Sequence, residues 1–291
     1  MKISEITQIF REELKSLYPL GEIDGFIFYS LNEYLGLSKG EIVISGEISL
    51  KASDYEKLKA VVAQLKTYKP IQYILSTTEF YGCKLTVNEN VLIPRPETEE
   101  LVDLILSDIR RQMPVVKCIL DIGTGSGCIA IALKKNVPAA TVSAIDISEK
   151  ALFVAKANAL LNDAIINFTQ IDILNYPISG NFLPLGRGNT FDIIVSNPPY
   201  ICISEKAQMS KNVLDYEPDI ALFVNNKDPL VFYNAISDFA LQYLAINGKL
   251  YFEINEAYGK DVKQLLEKKG FKSVEIKKDI NNKDRIAIAN R

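Results

Sequence analysis

Residues 121–132 read DIGTGSGCIAIA and directly follow the apolar run KCIL at 117–120. Residues 117–121 have the content of a buried strand that stops at a carboxylate, and residues 126–134 have that of a helix. Between them Gly123, Gly125 and Gly127 supply a tight turn that leaves bare backbone open to a ligand, beside the unpaired N–H groups of a helix N-terminus. A strand, a glycine turn and a helix in this order suit an α/β domain that holds a nucleotide-like cofactor.

The spacing of the glycines narrows the ligand. D-x-G-x-G-x-G is not the GxGxxG of dinucleotide sites, and no GK[ST] follows as a phosphate-cradling loop requires. A second carboxylate, Asp146, ends the apolar run TVSAID at 141–146, just before a helix signal over 149–161, where it can accept hydrogen bonds from ribose hydroxyls. A third, Asp172, follows IINFTQI at 165–171, in sheet order to meet an adenine. Three strand ends with carboxylates favour an adenosyl ligand without a pyrophosphate. The bland alternative is an ordinary α/β turn whose aspartates cap helices.

The whole chain limits the classes further. Its 291 residues accommodate one large domain and a smaller one, at a formal charge of −3. Cys83, Cys118, Cys128 and Cys202 are scattered without a C-x-x-C pair, and there is no histidine. This argues against a disulfide scaffold and a zinc site, excludes histidine acid–base chemistry, and fits a cytoplasmic enzyme without a metal. No signal-like segment and no run of 18 apolar residues is present, so neither export nor membrane spanning is expected.

Residues 1–80 differ in texture. Helical periodicity runs through 3–17, 25–37 and 53–68, punctuated at residues 19–21, Gly40 and Pro70, which predicts a small bundle of four or five helices. The segment carries more acidic than basic side chains and is a poor clamp for phosphate backbones. It can hold a macromolecular substrate or serve stability alone. Residues 81–97 read as a hairpin linker around Gly82 and residues 88–90, ending at a corner where Pro94 and Pro96 flank Arg95. There residues 93–97 form either a wall beside the cofactor or an ordinary turn, and Thr98 is placed to cap the next helix.

From 98 to 291 the pattern is a doubly wound, mostly parallel α/β sheet with seven strands, at 117–121, 141–145, 166–171, 191–196, 248–254, 271–276 and 285–290. The last strand is expected to be antiparallel, because only the short KKDINNKD turn precedes it. Residues 175–190 read as a surface loop. The chemistry is expected where FDIIVSNPPYI, 191–201, runs from the fourth strand into Asn-Pro-Pro-Tyr at the carboxyl edge of the sheet. The prolines cannot donate and hold the backbone stiffly, so a planar NH2 group can donate to the Asn197 side-chain oxygen and to the Pro198 carbonyl. Pro199 continues the rigid wall and Tyr200 offers an aromatic face. A plain proline turn accounts for the prolines but for neither neighbour.

With YKPIQYILSTTEFYG, VLIPRPETEELVD, DIGTGSGCIAIAL, AIDISEKAL, FDIIVSNPPYI, YEPDIAL and the final DRIAIA in this order, the chain resembles the class I S-adenosylmethionine-dependent methyltransferases. More closely it resembles the protein N5-glutamine methyltransferases that modify peptide chain release factors. The resemblance covers essentially the whole length and implies S-adenosyl-L-methionine as cofactor. It implies that residues 123–127, Thr124 and Ser126 among them, wrap the methionine portion and that Asp121 also belongs to the cofactor site. Asp146 would bind the ribose, Asp172 and Ile173 flank the adenine, and Asn197 border both ligands. It implies too that residues 197–200 hold the acceptor glutamine, with Asn197 and Pro198 catalytic, and that the N-terminal helices recognise the release factor. Asn225, Asn226, Asn255, Tyr258 and Asn282 depart from the residues usual in the family.

The expected reaction is methyl transfer to a glutamine side-chain nitrogen. That nitrogen is weakly nucleophilic, so alignment and carbonyl acceptors matter more than a strong base. Two other enzymatic readings remain: an N6-adenine methyltransferase on DNA or RNA, supported by 10 Lys/Arg against 5 Asp/Glu in residues 257–291, and a glutamine methyltransferase acting on a ribosomal protein. A module that binds the cofactor without transferring its methyl is the non-enzymatic reading.

Overall fold

The computed structural model describes residues 2–44, 46–112, 116–176 and 190–291. The chain forms two compact units, Met1–Thr77 with Ser210–Tyr216, and Thr78–Met209 with Glu217–Arg291.

The first unit is helical. Helices α1 (Ile3–Leu14), α2 (Leu20–Leu35), α3 (Lys39–Ile44), α4 (Ala52–Leu65) and α5 (Ile71–Leu75) follow the punctuation at Pro19, Gly40 and Pro70. Spacings of three and four residues place Ile3, Ile6, Phe10 and Leu14 on the buried side of α1, and Leu58, Val61, Val62 and Leu65 on that of α4. Helix α2 stops at Gly36, whose φ of 70° suits a glycine after a helix C-terminus. Helix α3 buries none of its side chains. Periodicity alone misses one component of this unit, residues 210–216. Tyr216 Oη there lies 2.8 Å from the Thr67 carbonyl oxygen.

The second unit starts in a hairpin, β1 (Thr77–Phe80) and β2 (Cys83–Thr86). Tyr81 and Gly82, both at positive φ (47° and 71°), make its two-residue turn. Residues 88–90 turn separately, with Asn90 N donating to Asn88 Oδ1 at 3.0 Å, so the hairpin ends before them. Helix α6 (Pro96–Gln112) begins at Pro96, where a missing N–H costs nothing. Thr98 therefore lies inside its first turn and is not its cap, a correction to the sequence expectation that frees the hydroxyl for another partner.

Then follow β3 (Cys118–Ile122), α7 (Cys128–Asn136), β4 (Thr141–Asp146), α8 (Glu149–Leu161), β5 (Ile166–Gln170), β6 (Phe191–Ser196), the short β7 (Ile201–Cys202), α9 (Lys211–Leu214) and α10 (Asp219–Leu222). The chain ends with β8 (Phe223–Val224), α11 (Val231–Tyr243), β9 (Leu244–Glu253), α12 (Gly259–Lys268), β10 (Lys272–Lys278) and β11 (Asp284–Asn290). The seven-stranded sheet runs β10-β11-β9-β6-β3-β4-β5. Only β11 runs against its neighbours, lying between β10 and β9. One apolar layer packs α6, α7 and the hairpin on one face, and another packs α11 and α12 on the other.

Strand β9 starts earlier than predicted. It begins at Leu244 rather than at 248 and runs through an irregularity, with Asn247 at φ 66° and the β6–β9 register shifting between Phe191 and Ile193. Helix α7 starts at Cys128, so Ser126 belongs to the glycine turn and not to the helix. The loop expected over 175–190 lies outside the described residues from 177 to 189. Lys272, Lys277 and Lys278 stand exposed on β10, the edge strand, where charge deters pairing with another sheet. This accounts for part of the basic C-terminal segment without a nucleic acid. Among the described residues no helix is long and apolar enough to cross a membrane.

Candidate active site

Strand order reverses between β3 and β6, so the segments leaving their carboxyl ends diverge and open a crevice. The glycine turn leaves β3 and the NPPY segment leaves β6. Between them lies a cavity of about 280 Å³ lined by Gly123, Thr124, Gly125 and Ser126 from the first and by Asn197, Pro198 and Pro199 from the second. Asp146 at the end of β4 with Ser148 beyond it, and Asp172, Ile173 and Leu174 after β5, complete the other end.

The glycine turn is held from both sides. Gly123 N and Thr124 N donate to the Ile145 carbonyl at 2.9 and 3.0 Å, and Gly125 N donates to Asp146 Oδ2 at 2.8 Å. Asp146 Oδ1 accepts from Ser148 N at 2.9 Å. Burial pushes the Asp146 carboxyl up, opposed by the backbone N–H groups of Ser148 and Gly125. Gly123 and Gly125 have φ of 72° and 55° and open space where a Cβ would stand, whereas a Cβ on Gly127 would come within 3.2 Å of Ala155 Cβ. The first two glycines keep the cavity clear, and the third allows α8 to pack against the turn.

Asp121 lies beneath the turn, fully buried, with Oδ2 accepting from Thr124 Oγ1 at 2.6 Å and Oδ1 without a hydrogen-bond partner among the described residues. Burial raises its pKa to about 7, opposed by the Thr124 hydrogen bond and aided by the nearby Asp146. Asp172 folds back on its own loop, accepting from Leu174 N at 2.9 Å and from Asn175 Nδ2 at 2.6 Å.

On the NPPY side Asn197 Nδ2 donates to Thr98 Oγ1 at 3.2 Å, and Thr98 donates to Glu253 Oε2 at 2.6 Å. Tyr200 Oη donates to Glu253 Oε1 at 3.0 Å. Burial pushes the Glu253 carboxyl up, while Thr98, Tyr200 and Arg285 stabilise its charged form. Behind the Pro94–Pro96 corner, buried Glu217 accepts from Ile93 N at 3.2 Å and from Arg95 Nη2 at 2.5 Å, and Arg95 lines the cavity. The IPRP corner is therefore a wall of the site.

Two domain profiles match this chain, a methyltransferase small domain over residues 102–215 and a PrmC N-terminal domain over residues 27–75. A release factor glutamine methyltransferase of Flavobacterium psychrophilum is 45% identical over 291 residues, covering 100% of this chain and 99% of its own. One from Bacteroides thetaiotaomicron is 43% identical over 289 residues, covering 99% and 100%. This chain belongs to the release factor glutamine methyltransferase family. Among solved structures, the hMettl16 catalytic domain superposes with a TM-score of 0.53 at 15% identity, covering 90% of this chain and 88% of that one. At that identity the likeness concerns the fold alone.

Family membership makes S-adenosyl-L-methionine the cofactor, and the residues present fit it. Gly123 and Gly125 form a cradle that a Cβ would fill, and Asp146 has carboxylate lone pairs left beyond its two backbone partners. Of the residues expected from sequence, Gly123, Thr124, Gly125, Ser126, Asp146, Asp172, Ile173, Asn197, Pro198 and Pro199 line one cavity. Asp121, Gly127 and Tyr200 support it from behind. The ring of Tyr200 packs with the core under α11 and β9. Sequence reading gives Thr98 only the part of a helix cap, and it passes over Glu253, Glu217 and Asn158, a buried residue of α8. The Asn158 side chain accepts from Thr86 N at 2.7 Å and donates to Ser126 O at 2.9 Å, tying the hairpin to the glycine turn. A polar residue on the apolar face of a predicted helix is the one local sign of it.

Proposed function

We propose that this protein transfers the methyl group of S-adenosyl-L-methionine to the side-chain amide nitrogen of a glutamine in peptide chain release factors. The observation that carries this reading is the pairing, in one cavity, of the glycine cradle with the Asn197–Pro198 edge, in a chain whose full-length relatives bear that activity in their names. The cofactor supplies an activated methyl on a sulfonium. The protein supplies position: Asn197 Oδ1 and the Pro198 carbonyl accept from the two N–H bonds of the acceptor amide, hold its nitrogen and draw electron density toward it. Pro198 has no N–H to compete, and its buried ring keeps the carbonyl fixed.

We assign recognition of the folded partner to the helical segment 1–80, joined by the linker 81–97 to the methyltransferase domain 98–291. The four cysteines are unpaired and buried, in keeping with the reducing cytoplasm where we place the enzyme. The test is mass spectrometry of purified release factors after incubation with the protein and S-adenosyl-L-methionine. A 14 Da gain on a single glutamine is expected. Methyl on adenine in DNA or RNA, or on a ribosomal protein only, overturns the substrate assignment, and cofactor binding without transfer to any of them overturns the enzyme.

A further inference from the structure

The hydrogen bonds behind Asn197 have a direction, and that direction is set one residue further back. Glu253 stands at the end of β9, 1% exposed, and its two carboxylate oxygens meet two hydroxyls, those of Thr98 and Tyr200. Accepting at both oxygens, as a carboxylate does, Glu253 gives a proton to neither hydroxyl. The single proton of Thr98 Oγ1 is therefore committed to Glu253, and the lone pairs left on that oxygen take a donor. The donor that Asn197 can offer is Nδ2, which lies 3.2 Å away. Turned over, the amide would set its own oxygen against the Thr98 oxygen with no proton between them. Oδ1 is left to the cavity that Asn197 lines. The same strand end also holds the main chain of the motif, because Asn255, two residues beyond Glu253, donates from Nδ2 to the Tyr200 carbonyl at 3.2 Å.

We propose that Glu253, acting through Thr98, is a positioning residue that fixes which end of the Asn197 amide the acceptor meets, and so makes the site select a group that donates, an NH2, over one that accepts. The inference rests on reading the cavity as the glutamine methyl-transfer site. Glu253 does not line the cavity, and Thr98, which does, has its hydroxyl engaged by Glu253 and Asn197 in this scheme. Their effect passes entirely through Asn197, and this separates positioning from simple support of the fold.

The test uses the full-length protein and the variants Thr98→Val, Thr98→Ser and Glu253→Gln, with Asn197→Ala alone and combined with Thr98→Val. Single-turnover transfer of radiolabelled methyl to a release factor is measured at saturating cofactor, and cofactor affinity is measured by calorimetry. Thr98→Val keeps the shape and loses the hydroxyl, so transfer should slow by roughly 10–100-fold while cofactor binding stays near normal. Thr98→Ser restores the hydroxyl and should restore most of the rate. Glu253→Gln can donate to Thr98 and reverse the chain of hydrogen bonds, so it should slow transfer with cofactor affinity preserved. In the Asn197→Ala background Thr98→Val should cost nothing further. Equal rates for the valine and serine variants, or losses that multiply in the combined variant, overturn the proposal. A second measurement does not depend on turnover: solvent exchange of the Asn197 side-chain N–H protons, observed by NMR on asparagine-labelled protein. Exchange should be slow in wild type and Thr98→Ser and fast in Thr98→Val, and unchanged exchange refutes the network. If wild type methylates no release factor, the functional reading falls, and this exchange measurement still decides the orientation of the amide.

Discussion

Replacing Asp146 tests how the cofactor end of the site is built. Its two oxygens accept from Gly125 N and Ser148 N at 2.8 and 2.9 Å, so the carboxylate pins the glycine turn to the end of β4 whether or not a ligand is present. A hydrogen bond to a charged group contributes about 1.5–3 kcal/mol, and partial access of water to the two freed N–H groups reduces the loss, so Asp146→Ala should cost about 2–4 kcal/mol in the absence of cofactor. At about 2–4 °C per kcal/mol for a unit of this size, Tm should fall by roughly 5–15 °C. Asp146→Asn keeps one carbonyl acceptor and turns an amide N–H toward the other backbone N–H, so it should lose roughly half as much. Cofactor affinity should fall in both variants, further in alanine, because the turn that cradles the ligand loosens while its hydroxyl acceptor disappears. Thermal unfolding without ligand, followed by calorimetric titration with S-adenosyl-L-methionine, separates the two effects. An alanine variant whose ligand-free Tm matches wild type would mean that Asp146 serves the ligand only, and the pinning argument would be refuted.

Three further outcomes follow from the same geometry. Gly127→Ala places a Cβ 3.2 Å from Ala155 Cβ at φ 83° and should destabilise the protein by about 2–4 kcal/mol, whereas Gly125→Ala, at φ 55° but facing open space, should cost only about 1–2 kcal/mol of backbone strain and weaken cofactor binding; unfolding curves beside titrations check the contrast. The folded pKa of Asp121, about 7, exceeds the unfolded value, so its contribution is fully present below about pH 4 and is lost as pH rises through 7. Asp121→Asn should therefore match wild type near pH 4 and exceed it increasingly up to pH 7, by at most about 4 kcal/mol, as Tm measured against pH will show. Val43 and Ile44 are 83% and 82% exposed on the helical unit, and Val43→Asp with Ile44→Asp should lower kcat/KM for an intact release factor by about 10-fold while sparing a short glutamine peptide. Equal losses on both substrates would remove the helical unit from partner recognition.

Deleting residues 1–80 is a poorer probe of that division than surface substitution. Residues 210–216 belong to the helical unit, where Tyr216 meets Thr67, so deletion strips a segment of the remaining chain of its packing. Nothing in the local pattern of LDYEPDIAL announces this. The short α9 is too brief for periodicity to tell where it packs.

What the chain determines by itself is local in origin. An apolar run that ends at Asp121 before three glycines at positive φ, and another that ends at Asn197-Pro198, have their meaning in backbone sterics and strand period, and both are legible without a neighbour. Alternation of strand and helix then leaves few topologies, and the glycine and NPPY segments meet because both leave carboxyl ends of adjacent parallel strands. Asn282 shows the same economy, since it takes φ 63° in the last turn, a conformation asparagine tolerates. Tertiary structure alone decided the partners of buried polar groups. Thr98 meets Glu253 across 155 positions of sequence, Asn158 meets Thr86 across 72, and Glu217 meets Arg95 across 122. Such pairs have no period and no spacing. A buried donor or acceptor must be satisfied, but which group satisfies it depends on where the packed helices and sheet bring the chain, and that same packing points the Asn197 amide.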